Sequence, residues 1–269
     1  MLNPAIREDR ALDFLRGDVK QVEIREYKVT DGKTSGLKER SVRTYDRHGN
    51  RISVVYYQAD GSVRLRQEST IAPSGAKVAY TNYDASGTPS GGGRYVYESG
   101  VLKAKIHDGE VEETYENDED GRITKVVYPS TGSGNLYKYD DNGFVAIQRE
   151  VPADPSGLTP DEQGLLSAVS SMLGTGQSQI FEFDTDESGV VTEQRVLDQA
   201  TGALKFKIVR TVNEYGDVNQ EVSFQNGEVY GRTAYRYRYD SRGNWVERVA
   251  GNPGGPATGL KRRDIEYFD

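Results

Sequence analysis

The chain has no cysteine, which removes disulfides, thiolate metal sites and cysteine nucleophiles together. Histidine and methionine occur twice each and tryptophan once in 269 residues. No apolar run approaches the length of a membrane-spanning helix, and Met1-Leu2-Asn3-Pro4 shows no basic region leading into an apolar core. Hydrophobic residues are 35% of the chain and mean hydropathy is −0.72, low for a thick aliphatic core. Clustered positive charge is scarce as well. Lys plus Arg total 34 against 42 for Asp plus Glu, a net charge of −8, and the basic triplet Lys261-Arg262-Arg263 reads as the flank of a terminal strand. Such a balance is unsuited to coating phosphates, so no nucleic-acid partner is expected.

Tyrosine and glycine are what the chain has in quantity, at 18 and 30 residues. In Tyr235-Arg236-Tyr237-Arg238-Tyr239 the two residue types alternate, which puts tyrosines on one face of a strand and arginines on the other. Asp240-Ser241-Arg242-Gly243-Asn244 then reads as a reversing turn, with Gly243-Asn244 supplying positive-φ positions, and Trp245 opens a second alternating run. Turn signals of this kind recur about every dozen residues, among them Asp31-Gly32, Asp46 to Asn50, Ser99-Gly100, Asp140 to Gly143 and Asn226-Gly227. An antiparallel meander of hairpins follows.

Two stretches break the pattern. Asn3-Pro4 opens a helix as N-cap and first-turn proline, and residues 4–16 are expected to form a short capping helix stopped at Gly17. Thr159-Pro160-Asp161-Glu162 has the form of a capping box, followed by Leu165, Leu166, Val169, Met172 and Leu173 at helical spacing. The expected organisation is therefore a capping helix at 1–17, β-repeats at 18–150, a loop and helix insertion at 151–179 and β-repeats at 180–269, all one continuous repeat domain. The fold class expected is all-β: an elongated, twisted antiparallel meander sheet of hairpin repeats, with a short N-terminal helix and one inserted helix.

The Tyr-Asp-x-x-Gly units at Tyr45–Gly49, Tyr83–Gly87, Tyr139–Gly143 and Tyr239–Gly243 resemble the YD repeats of the bacterial RHS family. The units at 139 and 239 match most closely. The resemblance covers most of residues 18–269 outside the helical insertion, and is closest to the small, stand-alone YD-repeat proteins. It implies a long antiparallel sheet strip in a secreted or envelope-associated bacterial protein. Asn226-Gly227-Glu228-Val229-Tyr230-Gly231 also looks like a MORN repeat, which implies a related sheet strip with a binding role.

Catalytic signatures are missing: the sequence contains no Gly-x-Ser-x-Gly elbow, phosphate loop, dinucleotide fingerprint or His-Glu-x-x-His. His48 and His107 read as exposed turn residues. Glu116, Asp118 and Asp120, and likewise Asp184 and Asp186, precede turn glycines as in a calcium loop. The positions where a closing acid would stand hold Val127 and Arg195, so no metal is expected and these are solvated turns. No cofactor is expected either.

The binding signal lies in the paired aromatics Tyr95/Tyr97, Tyr137/Tyr139 and Tyr235/Tyr237, and in Trp245. They are read either as cross-strand packing or as an exposed strip for a protein or glycan. The function expected is a non-catalytic cell-envelope or extracellular binding and scaffold module, with a protein or glycan partner and no transmembrane segment. The alternatives are a carbohydrate-active enzyme using a carboxylate pair, or a carrier or neutraliser of a toxin-like partner. The location expected is extracytoplasmic with a signal peptide already removed, a cytoplasmic one staying open.

Overall fold

The computed structural model describes residues 13–151 and 179–269. Eighteen strands are present in them, numbered in chain order: β1 Val19–Thr30, β2 Lys33–Tyr45, β3 Arg51–Tyr57, β4 Val63–Ile71, β5 Lys77–Tyr83 and β6 Pro89–Glu98. There follow β7 Val101–His107, β8 Glu110–Asn117, β9 Ile123–Tyr128, β10 Ser133–Tyr139, β11 Val145–Val151 and β12 Gln179–Thr185. The last six are β13 Val191–Asp198, β14 Leu204–Val212, β15 Val218–Gln225, β16 Glu228–Tyr239, β17 Trp245–Gly251 and β18 Ala257–Tyr267.

The all-β, antiparallel character is as the alternation requires, but the open elongated strip is not. β1 is hydrogen-bonded to β2 along one edge and to β18 along the other, within a single 18-stranded sheet. The pairing of the first strand with the last closes the meander, which has no first or last edge at this seam. Closure has a physical reason: an open meander leaves two edges of unpaired backbone donors and acceptors, and pairing the terminal strands satisfies both. No helix occurs among the described residues. Most of the 4–16 segment and all of 159–173 lie outside those residues. Asp13 to Arg16, which are described, form a turn and extended chain. The strands flanking the expected insertion, β11 and β12, pair directly, with Ile147 opposite Glu182.

The described residues divide into two compact units, 111–232 and 13–110 together with 233–269. In the first, β12 to β15 pair in sequence and carry ion pairs on their faces, such as Arg195 with Glu182, Asp184 and Glu193. In the second, a small apolar core forms where the chain entering β1 packs on the seam. Leu15, Val19, Val22 and Tyr45 are buried, with Ile24, Ile265 and Tyr267 against them. Val19 and Val22 are completely buried, each worth roughly 1.5–3 kcal/mol relative to exposure.

Two turn types join the strands. At Asp31-Gly32, Ser99-Gly100, Asp108-Gly109 and Asn226-Gly227 both residues have positive φ, the two-residue hairpin whose twist matches that of the strands. The Tyr-Asp-x-x-Gly units make a different turn. In each, the Asp side chain accepts the amides two and four residues on: His48 and Asn50 for Asp46, Ser86 and Thr88 for Asp84, Arg242 and Asn244 for Asp240. Gly243 sits at φ +78° while its amide bonds the Asp240 carbonyl. The reading of Asn244 as a second positive-φ residue is thereby corrected. Gly243 alone supplies that conformation in this turn, and Asn244 acts through its side chain.

Candidate binding pocket at the sheet seam

The seam stacks side chains of one face into rows, because residues directly opposite on antiparallel strands point the same way. Val22 stands opposite Arg43 on β2 and Ile265 on β18. Two residues along, Ile24 faces Ser41 and Arg263; two further, Glu26 faces Glu39 and Lys261. Lys261 in turn faces Arg248 on β17, and Arg248 faces Tyr237 on β16. Tyr237, Arg248, Lys261, Glu26 and Glu39 thus form one line across five strands. The rows run from apolar to charged, and the last two enclose an open pocket of ≈ 290 Å³ whose wall includes Trp245 and whose rim carries Asp13 and Phe14.

The rim is held by two anchors. The Asp13 carboxylate accepts from the Arg43 guanidinium, the Tyr45 hydroxyl and, at 3.3 Å, Arg51 Nη1, while Arg263 Nη2 donates to the Asp13 carbonyl at 3.0 Å. Burial, then the Asp13 charge and its hydrogen bond, drive the Tyr45 phenol well above its ordinary pKa, so it stays a donor to that carboxylate. On the other side Arg16 is clamped by Asn244: its amide donates to Asn244 Oδ1 at 2.7 Å, and Asn244 Nδ2 donates to its carbonyl at 2.8 Å. Between these anchors Phe14 adopts φ +53° and leaves 66% of its surface exposed. For a bulky residue that conformation costs about 1–2 kcal/mol and persists only where its surroundings fix it.

Inside the pocket the charges are unequally matched. Lys261 Nζ lies 2.6 Å from Glu26, and Lys38 reaches the same carboxylate. Burial would raise the Glu26 carboxyl, but hydrogen bonds from Lys261 and Lys38 outweigh it and hold it below its usual range. Arg263 is 8% exposed and lies over Trp245 at 3.5 Å from the ring centroid, a desolvated cation–π contact of about 2 kcal/mol. Arg248 makes no ion pair among the described residues. It lies 5.4 Å from the Tyr235 ring centroid and 5.5 Å from that of Trp245. Glu39, exposed at the opposite end of the row, makes no hydrogen bond or ion pair among the described residues.

The structure brings some of the sequence-derived aromatics here and not others. Tyr237 packs against Tyr239 at 5.7 Å and Trp245 at 6.3 Å, and Tyr235 adjoins Arg248. Trp245 is only 6% exposed, a wall rather than a platform. Tyr95 and Tyr97 lie elsewhere in the same unit, Tyr95 against Tyr80 and the Tyr97 hydroxyl on the Lys77 carbonyl at 3.0 Å. Tyr137 and Tyr139 belong to the other unit, both half-buried. The Tyr139 hydroxyl donates to the Ile123 carbonyl at 2.6 Å. The triplet Lys261-Arg262-Arg263 is split by strand alternation: the outer two face the seam, and Arg262 pairs with Glu247 at 2.8 Å.

His48 does sit in a turn. His107 instead ends β7, and its Nδ1 is 2.8 Å from the Tyr80 hydroxyl with the rings stacked. Gly93 makes room for Tyr80, since a Cβ there would fall 2.8 Å from the ring. In the acidic turns Asp118 pairs with Arg122 at 2.7 Å, Glu116 with Lys125 at 2.7 Å and Asp184 with Arg195 at 2.8 Å. Sequence reading missed Arg248, Lys261, Arg263, Glu26, Glu39 and Asn244. Only the alternation of basic residues beside aromatics pointed toward any of them.

No family model matches the chain, and no curated protein does. Among solved structures it is similar to the TcdB2–TccC3 complex, at 12% identity and a TM-score of 0.38 over 90% of this chain; it spans 15% of the chain it matches there. It is also similar to porin-like proteins from Bacteroides vulgatus, at 10% identity and a TM-score of 0.41, and from Bacteroides uniformis, at 11% and 0.33. Those alignments cover 93% and 92% of this chain, and 99% and 96% of the matched chains. At such values the likeness carries nothing about ligands, and the site is read from its own residues.

Proposed function

We propose that this protein is a non-catalytic binding module of the cell envelope or extracellular space, and that the seam pocket is where it takes hold of a protein or glycan partner. The observation that carries the reading is Arg248. Its cation sits on a pocket wall against aromatic rings, with no carboxylate paired to it among the described residues, and a guanidinium so placed is a ready receptor for an anionic group. The volume of ≈ 290 Å³ is near the lower bound of small-ligand sites and suits a terminus or one sugar unit rather than a whole domain. The Tyr-Asp-x-x-Gly units, through their resemblance to RHS-type repeats, support the envelope or extracellular setting.

A carbohydrate-active enzyme fits the pocket less well. Its directly opposed carboxylates are Glu26 and Glu39, and a glycosidase must keep one such group protonated. Two lysines hold Glu26 below the usual carboxylate range, the reverse of what a general acid needs.

The test uses the single tryptophan as reporter. A panel of envelope-derived peptides and oligosaccharides is titrated against the full chain, following Trp245 emission and binding heat. Arg248→Ala is expected to weaken the ligand found by about tenfold or more. Arg236→Ala, on the opposite, exposed face of β16, is expected to leave it unchanged. Consumption of the ligand, or equal loss in both variants, overturns the reading.

A further inference from the structure

We infer that the seam pocket selects a short peptide with both termini charged, its carboxylate at Arg248 and its ammonium group at Glu39. The inference rests on the pocket being the binding site, and adds a chemical class and a direction to it.

The cross-strand row Arg248–Lys261–Glu26–Glu39 carries two positive charges followed by two negative ones. The inner two pair at 2.6 Å, and Lys38, next to Glu39 on β2, donates to the same Glu26 carboxylate. The groups of the row left without an ion pair among the described residues are Arg248 at one end and Glu39 at the other, three strand spacings apart, or roughly 14 Å between backbones. Both side chains line the pocket. A span of that order matches an extended peptide of about three residues, at roughly 3.4 Å per residue, with a contact at each end. The pocket volume of ≈ 290 Å³ admits a ligand of that size and little more.

The rim supplies an apolar contact. Phe14 is exposed, and its left-handed backbone conformation is fixed on one side by Asp13 and on the other by Arg16. A side chain from the middle of the peptide can lie under that ring, over Ile24.

Glycans are disfavoured by the same geometry. A neutral sugar meets neither charge of the row. Inside the pocket it finds no open aromatic face, since Trp245 is 6% exposed and covered by Arg263 and the exposed ring of Phe14 stands at the rim. An acidic glycan satisfies Arg248 but sets further negative charge against Glu39. Only a dipolar ligand matches both ends of the row.

The test compares Ala-Leu-Ala with its N-acetylated form, its C-terminal amide and a trigalacturonate, by titration calorimetry and Trp245 emission on the full chain. Ala-Leu-Ala is expected to bind best, and blocking either terminus to weaken it about tenfold, the loss of one charge-assisted contact. In Glu39→Gln the free and acetylated peptides should become equal, and in Arg248→Gln the acid and the amide should. Circular dichroism checks that each variant is folded. Equal affinity of blocked and free peptides for the parent chain overturns the inference, as does absence of peptide binding at millimolar concentration. Tighter, Arg248-dependent binding of trigalacturonate also overturns it, yet leaves the pocket standing as the binding site.

Discussion

The turns at Asp84–Thr88 and Asp240–Asn244 have the same internal wiring and different surroundings. In both, the Asp side chain takes the amides two and four residues on, and the glycine amide bonds the Asp carbonyl. The first turn is exposed throughout, and its remaining side-chain bonds join Ser86 to Asp84 and Thr88. In the second, Asn244 is 1% exposed and tied to Arg16 and Tyr267, whose hydroxyl also donates to Asp240. Arg16 Nη1 reaches the Gly243 carbonyl as well, at 2.6 Å. One motif therefore serves twice, as a free-standing reversal of the chain and as the anchor of the pocket rim. What separates the two uses is the residue after the glycine, Thr88 in one and Asn244 in the other.

The largest effect on this comparison is expected from Asn244→Ala. It removes a buried side chain that bonds the Arg16 amide and carbonyl and the Tyr267 hydroxyl, a loss of about 1–3 kcal/mol. Chemical denaturation followed at Trp245, the next residue, reads it directly. A loss under 0.5 kcal/mol would mean that the rim is held by the Asp13 anchor alone.

The local half of the comparison is legible in the sequence. Asp-x-x-Gly specifies its turn through hydrogen bonds within the motif, and the Tyr-Arg alternation places Arg236 and Arg238 outward with Tyr235, Tyr237 and Tyr239 half-buried. The other half is not, because it arises from strands far apart in the chain. The Glu26–Lys261 pair exists only because β1 lies beside β18, and nothing in either strand's own alternation names its partner. The expectation of an open strip failed at that same seam, and the pocket was missed along with it. His107 shows the same limit on a smaller scale. Its partner Tyr80 lies two strands away, and the ring is admitted by Gly93 on the strand between them.

A smaller effect is expected from Tyr267→Phe, which removes the hydroxyl that links the Asp240 turn to β18. Burial, and then the hydrogen bond to Asp240, push the Tyr267 phenol up to about 12. A group raised in the folded state stabilises fully below its ordinary pKa, near 10, and that contribution is lost as pH rises through the folded value. The wild type is therefore expected to exceed Tyr267→Phe by about 1–2 kcal/mol at neutral pH. The difference should shrink between pH 10 and 12. Denaturation curves of both proteins across that window measure it, and a constant difference would place the stabilisation in ring packing rather than in the hydroxyl.

The smallest effect, and the one on which the contrast depends, is expected from Thr88→Ala. Thr88 occupies in its turn the place of Asn244, yet its hydroxyl meets only Ser86, and its amide, which the substitution keeps, makes the bond to Asp84. The change should stay within about 0.5 kcal/mol, as at other exposed positions. The reciprocal substitution Thr88→Asn should gain nothing, since an Asn at this exposed turn has no counterpart of Arg16 to hold. If Thr88→Ala instead costs as much as Asn244→Ala, the position after the glycine stabilises every such turn by itself. The burial of Asn244 would then be a by-product of the seam and not what fixes the pocket rim.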